Sequence, residues 1–170
     1  MQYNEIGKTG MKVSNLGFGA SSLGGVFHGI REDEAIQAVH TAVDGGINFI
    51  DVSPYYGHLK AETVLGKALK DIKRDKYILS TKVGRYGKDG VNYWDYSAKR
   101  AKESVYESME RLNVDFIDLI NVHDVEFADL QQVASETLPA LVELRKEGVV
   151  GQAGITDLQP ENLKWVIEHS

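Results

Sequence analysis

Side chains that can carry protons follow three successive short apolar runs of the sequence. Asp51 and the pair Tyr55 and Tyr56 come after the first run, Lys82 after the second and His123 after the third. In parallel α/β folds the carboxyl ends of the strands lie at one edge, so residues in these positions converge. Each residue alone has a structural explanation, as a helix cap or a solvated side chain. Their coincidence at successive strand ends predicts one shared pocket.

These residue types fit proton transfer coupled to carbonyl reduction. A tyrosine hydroxyl can protonate a carbonyl oxygen as hydride reaches the carbon, but its reference pKa of about 10 makes it slow. A neighbouring lysine ammonium favours phenolate and lowers that pKa, and an aspartate carboxylate keeps the lysine charged and in place. A histidine can hydrogen-bond the same substrate oxygen. The pattern therefore favours an oxidoreductase acting on carbonyls or alcohols.

Short strands and helices alternate along the chain and would position these residues. Extended runs on either side of a glycine-bounded turn at 7–10 predict an N-terminal hairpin. Apolar residues at helical spacing separate five predicted strands. Ser97 is placed to cap one helix, Pro160 suits the first turn of another, and the acidic residues 32–34 suit the first turn of the first helix. The predicted strands are 16–20, 47–50, 77–79, 116–120 and 153–155.

Strand and helix alternation implies parallel strands joined by right-handed crossovers, either in an open doubly wound sheet or in a closed eight-stranded barrel. The glycines at 17 and 19 begin like a dinucleotide fingerprint, but Ser22 replaces its third glycine, which disfavours the open sheet. A complete barrel needs about 250 residues. Residues 1–170 are therefore expected to form a single domain with the hairpin and about five units of an unfinished barrel.

Composition excludes several classes of function. The chain is 42% hydrophobic and 26% charged with a net charge of −6, so we expect no nucleic-acid partner. Residues 1–14 do not resemble a signal peptide, and no apolar run is long enough to cross a membrane. The chain has no cysteine, which fits the cytoplasm. The remaining histidines have no metal-ligand spacing, so no metal site is predicted; they are His28, His40, His58 and His169.

Several motifs together resemble the aldo-keto reductase family, over essentially the whole chain. They are D-V-S-P-Y-Y-G at 51–57, Thr81-Lys82, His123 after an aliphatic strand, G-I-T at 154–156 and G-F-G-A-S at 17–21. Within the family, the L-galactose dehydrogenase-like branch is the most similar. The resemblance implies a (β/α)8 barrel and oxidation of sugars or related alcohols with NAD or NADP. It also implies that Tyr56 is the acid/base, that Lys82 and Asp51 tune it, and that His123 orients the substrate.

The resemblance further implies which residues contact the cofactor. They are Gly19, Ala20, Ser21, Asp51 and Thr156. Many family members have Ser-Asn after strand five, whereas this chain has Thr156-Asp157, so only the first of those two roles carries over. The family's stacking aromatic and most of its adenosine-phosphate site follow later strands, beyond the five predicted here.

Two questions stay open at this stage, one about the function of the chain and one about a loop, and two expectations about partners follow them. The chain is an enzyme, or a non-catalytic binding subunit with a reductase fold, or an inactive fragment. An aromatic-rich loop after the third strand forms either a substrate wall or a cover for the barrel mouth; its aromatic residues are Tyr86, Tyr93, Trp94 and Tyr96. The partner is expected to be a small carbonyl or sugar molecule. Self-association is also expected, because an unfinished barrel leaves strand edges uncovered.

Overall fold

The computed structural model describes residues 1–88 and 90–170 and contains a five-stranded parallel sheet. Its strands are β3 (Phe18–Gly19), β4 (Phe49–Asp51), β5 (Ile78–Val83), β8 (Ile117–Val122) and β9 (Val150–Ile155). They lie side by side in this order, and each is joined to the next by a helical crossover, as the alternation predicts. All five predicted strands are present.

An antiparallel hairpin precedes the sheet, as predicted, and consists of β1 (Tyr3–Glu5) and β2 (Lys12–Ser14). The Tyr3 hydroxyl donates to the Gly46 carbonyl at 2.9 Å, and the Ser14 amide donates to Asn48 Oδ1 at 2.7 Å. Both partners come just before β4. The hairpin therefore covers the amino end of the strands, opposite the end where the candidate catalytic residues lie.

Helices pack against the sheet around two groups of buried apolar side chains. The helices are α1 (Glu32–Asp44), α2 (Lys60–Leu69), α3 (Ala98–Leu112), α4 (Leu130–Gln132), α5 (Leu138–Lys146) and α6 (Pro160–His169). One group joins α1, α2, β4 and β5, and the other joins α3, α5, α6, β8 and β9. Ser97 caps α3 by accepting from the Arg100 amide at 3.3 Å, and residues 32–34 begin α1, as predicted. A π-helical segment, Val133–Thr137, joins α4 to α5.

The segment after the third strand of the sheet differs from its prediction. β5 continues to Val83 because its backbone pairs with β8, although Ser80 and Lys82 interrupt the apolar run. The aromatic-rich segment expected as a loop contains a second hairpin, formed by β6 (Arg85–Lys88) and β7 (Val91–Trp94). Tyr86 and Tyr93 face each other across it, with ring centroids 5.2 Å apart. Such a cross-strand aromatic pair stabilises a hairpin.

Neither edge of the parallel sheet, β3 or β9, has a further strand partner in the described part of the chain. Near the β9 edge, Leu158 is 88% exposed and Ile167 is 68% exposed. Among the helices that the structure describes, none is long and apolar enough to cross a membrane.

Candidate active site at the carboxyl ends of the strands

Asp51 and Lys82 form an ion pair at the carboxyl end of two adjacent strands. Lys82 Nζ donates to Asp51 Oδ2 at 2.6 Å and to the Val52 carbonyl at 2.9 Å. The lysine side chain is only 6% exposed, whereas that of Asp51 is 33% exposed. The Ser80 hydroxyl donates to the other carboxylate oxygen, Oδ1, at 2.8 Å. Both oxygens of Asp51 are thus held, and the lysine is fixed with its charge inside the pocket.

Tyr56 lies next to this ion pair, on the loop between β4 and α2. Lys82 Nζ is 5.0 Å from the centroid of its ring. The Tyr56 amide donates to the Ser53 carbonyl at 3.1 Å, and its carbonyl accepts from the Ala61 amide at 3.2 Å, the latter tying it to α2. The Tyr55 ring also lies beside His123, with centroids 6.1 Å apart, and the Arg85 guanidinium covers it at 3.9 Å. Only Tyr56 of the two has its ring beside the lysine.

Two glycines let the Tyr56 loop cross the 3-10 helix Ala20–Gly24 at backbone contact. A Cβ on Gly24 would lie 2.9 Å from the Tyr56 carbonyl oxygen, and a Cβ on Gly57 would collide with the backbone of Gly24. Gly57 also has a positive φ of 61°, a backbone conformation that residues other than glycine rarely adopt. The loop that carries Tyr56 is therefore fixed by close packing of two backbone segments.

His123 continues from β8 into the same pocket, where it is almost fully buried. Its amide donates to the Val83 carbonyl at 2.8 Å, which extends the ladder between β8 and β5. Its ring meets the Tyr56 ring edge-on, with centroids 5.7 Å apart. Burial lowers the pKa of His123 well below its usual 6.5, and the positive charges of Lys82 and Arg85 lower it further, against the opposing effect of Asp124. The imidazole is therefore neutral at physiological pH.

The backbone just after His123 is held from two sides. The Tyr96 hydroxyl, which is buried, donates to the carbonyl oxygens of both His123 and Asp124 at 2.9 Å. From the next strand, Thr156 Oγ1 accepts from the Asp124 amide at 2.9 Å. Asp124 itself adopts a left-handed conformation with φ 49°. These bonds hold the strained backbone that directly follows His123.

The residues expected to contact a cofactor lie along the same edge of the sheet. Gly19 pairs with Asp51 between β3 and β4, and no heavy atom lies within 4 Å of where its Cβ would be. Ala20 is fully buried, and Ser21 is half-buried in the 3-10 helix that follows. Thr156 follows β9. The structure thus places all of these residues at the carboxyl ends of the strands.

The match to a family model agrees with this arrangement. Residues 15–170 match the model of the aldo/keto reductase family. The chain belongs to the aldo-keto reductase family. The L-galactose dehydrogenase of Arabidopsis thaliana is similar, with 46% identity over 99% of this chain and 52% of that protein. The D-threo-aldose 1-dehydrogenase of a Pseudomonas species is 34% identical over 95% of the chain and 55% of its own length.

A solved aldo-keto reductase structure shows the same fold. The holo form of AKR11C1 from Bacillus halodurans superposes with a TM-score of 0.88 at 34% identity, covering 100% of this chain and 55% of that one. The chain thus spans about half the length of the relatives it matches. Its hairpin and five strands are the corresponding part of an aldo-keto reductase barrel, which confirms the family and fold class predicted from the motifs.

Relative to other aldo-keto reductases, the departure at Asp157 has a local explanation. Its Oδ1 accepts from the Gln159 amide at 2.6 Å, and its Oδ2 accepts from Asn162 Nδ2 at 2.9 Å. Gln159 directly precedes α6 and Asn162 lies in its first turn, so both oxygens of the carboxylate accept from the segment where that helix begins. Asp157 therefore holds the turn between β9 and α6.

Several residues that contact the candidate catalytic residues were not predicted from the sequence. They are Ser53, Ser80, Arg85 and Asn121. Ser80 joins Asp51 to Asn121, whose amide donates to the Ser80 hydroxyl at 3.3 Å. Arg85 pairs with the Asp124 carboxylate. Their types are common on surfaces and in turns, and their roles depend on contacts between distant segments. The alternation within 80–82 is the one local signal, since it places Ser80 and Lys82 on the same side of β5.

Proposed function

We propose that the complete protein is an NAD- or NADP-dependent oxidoreductase that interconverts a sugar, or a related alcohol, and its carbonyl form. The observation that carries this proposal is the placement of Lys82, between the Asp51 carboxylate at 2.6 Å and the Tyr56 ring at 5.0 Å. A buried ammonium beside a phenol favours the phenolate, and a carboxylate pair keeps that ammonium charged. This is the arrangement that general acid/base catalysis by tyrosine requires.

Each of the four residues has a distinct role in the proposed reaction. In reduction the Tyr56 hydroxyl donates a proton to the carbonyl oxygen, and in oxidation its phenolate removes the hydroxyl proton of the substrate. Lys82 stabilises that phenolate, and Asp51 holds Lys82 in place. His123, buried and neutral, hydrogen-bonds the substrate oxygen and orients it. When bound, the nicotinamide supplies or accepts the hydride.

The strand ends fit a nicotinamide group. Gly19 is exposed and leaves open space next to Asp51, where a planar ring can lie against the backbone of β3. We propose that Gly19, Ser21, Asp51 and Thr156 would hold the nicotinamide group, with the fully buried Ala20 supporting them from behind. These residues do not distinguish the adenosine portions of NAD and NADP, so the proposal covers both cofactors.

A sugar as substrate is supported by two relatives and by the rim of the pocket. The relatives are named for dehydrogenation of L-galactose and of a D-threo-aldose. On the rim, Arg85 pairs with Asp124 beside His123, and Asn92 donates to the Tyr55 hydroxyl at 3.3 Å. Trp94 is 41% exposed on the same hairpin. Charged and amide groups next to an aromatic face suit a ligand with several hydroxyl groups.

The test is nicotinamide-linked turnover by the complete protein with a panel of aldoses and aldehydes. Tyr56→Phe should lower kcat by about 100-fold or more, because it removes the proton donor. Tyr55→Phe is the matched control, since it removes the adjacent phenol, which lies under Arg85, and should change kcat only a few-fold. Equal turnover by Tyr56→Phe and wild type would reject Tyr56 as the acid/base. Absence of turnover with every substrate would favour a non-catalytic binding subunit.

A further inference from the structure

A buried serine hydroxyl contacts the Nδ1 atom of the His123 ring. Ser53 Oγ lies 3.1 Å from His123 Nδ1, and the two residues are 0% and 4% exposed. Ser53 comes from the loop after β4, whereas His123 follows β8, so the contact joins two strand ends. Because no water can reach it, this contact has a definite donor and a definite acceptor.

The other bonds of Ser53 decide which atom is the donor. Ser53 Oγ already accepts from the Tyr55 amide at 3.1 Å, so its own hydrogen needs an acceptor. Among the residues that the structure describes, His123 Nδ1 is the only atom that can accept it. If Nδ1 carried a proton, the Ser53 hydrogen would be buried without an acceptor, which is unfavourable. The serine therefore donates, and Nδ1 accepts through its lone pair.

The opposite side of the ring leads to the same assignment. His123 Nε2 lies 3.4 Å from Asp124 Oδ2, which is longer than an ordinary hydrogen bond, and the negative charge of the carboxylate favours a proton rather than a lone pair on the nitrogen that faces it. Asp124 is in turn held by Arg85. Because the imidazole is neutral, it carries a single proton, and both of its neighbours favour that proton on Nε2.

We propose that Ser53 is a positioning residue that fixes His123 as the tautomer with its proton on Nε2. The ring then presents an N–H donor, rather than a lone pair, to the pocket, and this donor is what a substrate oxygen requires. The tautomer follows from contacts of the ligand-free protein. Its importance for catalysis rests on the proposed function.

The tautomer can be measured directly in the complete protein by two-bond proton–nitrogen correlation spectra after ¹⁵N-histidine labelling. His123→Gln identifies the signals of this ring. In the wild type, Nδ1 should have the shift of an unprotonated, hydrogen-bonded nitrogen and Nε2 that of a protonated one. In Ser53→Ala the Nδ1 shift should move and the other tautomer should become populated. Ser53→Thr keeps the hydroxyl and should retain the wild-type pattern.

Kinetics adds a second readout. Ser53→Ala should lower kcat by about tenfold with little change in KM, and Ser53→Thr should restore most of it. A wild-type spectrum with the proton on Nδ1, or unchanged ring shifts in Ser53→Ala, would overturn the inference. Correct ring shifts in a protein without turnover would support the tautomer and reject the proposed function. Normal turnover with the wrong tautomer would reject the inference alone.

Discussion

Replacing Asp51 by asparagine should destabilise the protein more than replacing its partner Lys82 by methionine. Asp51→Asn leaves the Lys82 ammonium without its carboxylate partner, although the lysine side chain is only 6% exposed. Its hydrogen bond to the neutral Val52 carbonyl remains. Removal of one partner from a buried ion pair costs about 3–5 kcal/mol. Because Asp51 is itself 33% exposed, we expect the lower end of that range, about 3 kcal/mol.

The reverse substitution is milder for a structural reason. Lys82→Met leaves a carboxylate that is partly in water and still accepts from Ser80 at 2.8 Å, so we expect a cost of about 1–2 kcal/mol. Urea unfolding of the complete protein measures both values, with an unchanged slope showing that the unfolded state is the same.

An exposed ion pair of nearly equal length provides the control. Lys67 Nζ lies 2.7 Å from Glu32, and the two side chains are 47% and 50% exposed. Glu32→Gln should cost less than about 1 kcal/mol, because solvent screens such pairs. If Asp51→Asn costs no more than Glu32→Gln or Lys82→Met, the burial of Lys82 does not determine the strength of this pair, and the reasoning fails.

Three further predictions concern the Tyr56 loop, His123 and the sheet edges. Gly57→Ala should destabilise the protein by more than about 2 kcal/mol and lower kcat, because φ is 61° and a Cβ would collide with Gly24. The control is Gly10→Ala, where φ is 78° but space is open, so only the strain of the left-handed backbone should reduce stability. Equal losses of stability in the two variants would contradict the packing argument. Because the pKa of His123 is lowered in the folded protein, the unfolded chain takes up the histidine proton at a higher pH than the folded one. The free energy of unfolding of the wild type should therefore fall relative to that of His123→Asn as the pH drops below about 6.5. A difference between the two proteins that does not depend on pH would contradict this. The 170-residue chain expressed alone should self-associate through β3 and β9, because both edges of the sheet are unpaired in the described residues. Sedimentation measures this association, and a stable monomer would contradict the prediction.

The order of strands and helices could be predicted from the sequence because each element has a local signal. Apolar runs gave the five strands, and Ser97 gave the start of α3. The end of β5 has a weaker signal, because its apolar run stops at Leu79 whereas the strand continues to Val83. Ser80 and Lys82 break the apolar run because their side chains contact Asp51, and only pairing with β8 keeps that backbone extended.

The candidate site shows the same division between local and distant information. The spacing of Asp51, Lys82 and His123 after successive strands predicted their convergence, since strand topology alone brings them together. The partners that orient them could not be predicted. Ser53 and His123 are 70 residues apart, and Tyr96 reaches the His123 carbonyl from the segment before α3. Such contacts depend on loop conformations for which the sequence has no periodic signal.

The pH dependence of turnover in Lys82→Met tests most directly whether Asp51, Lys82 and Tyr56 act as one acid/base unit. The Lys82 ammonium lies 5.0 Å from the centroid of the Tyr56 ring, where its positive charge favours the phenolate over the phenol. Removing it should therefore move the rising limb of the oxidation profile, and the falling limb of the reduction profile, to higher pH. Oxidation at neutral pH should slow accordingly. A rate that falls by the same factor at every pH, with both limbs unmoved, would show that Lys82 only positions Tyr56 and would contradict the account.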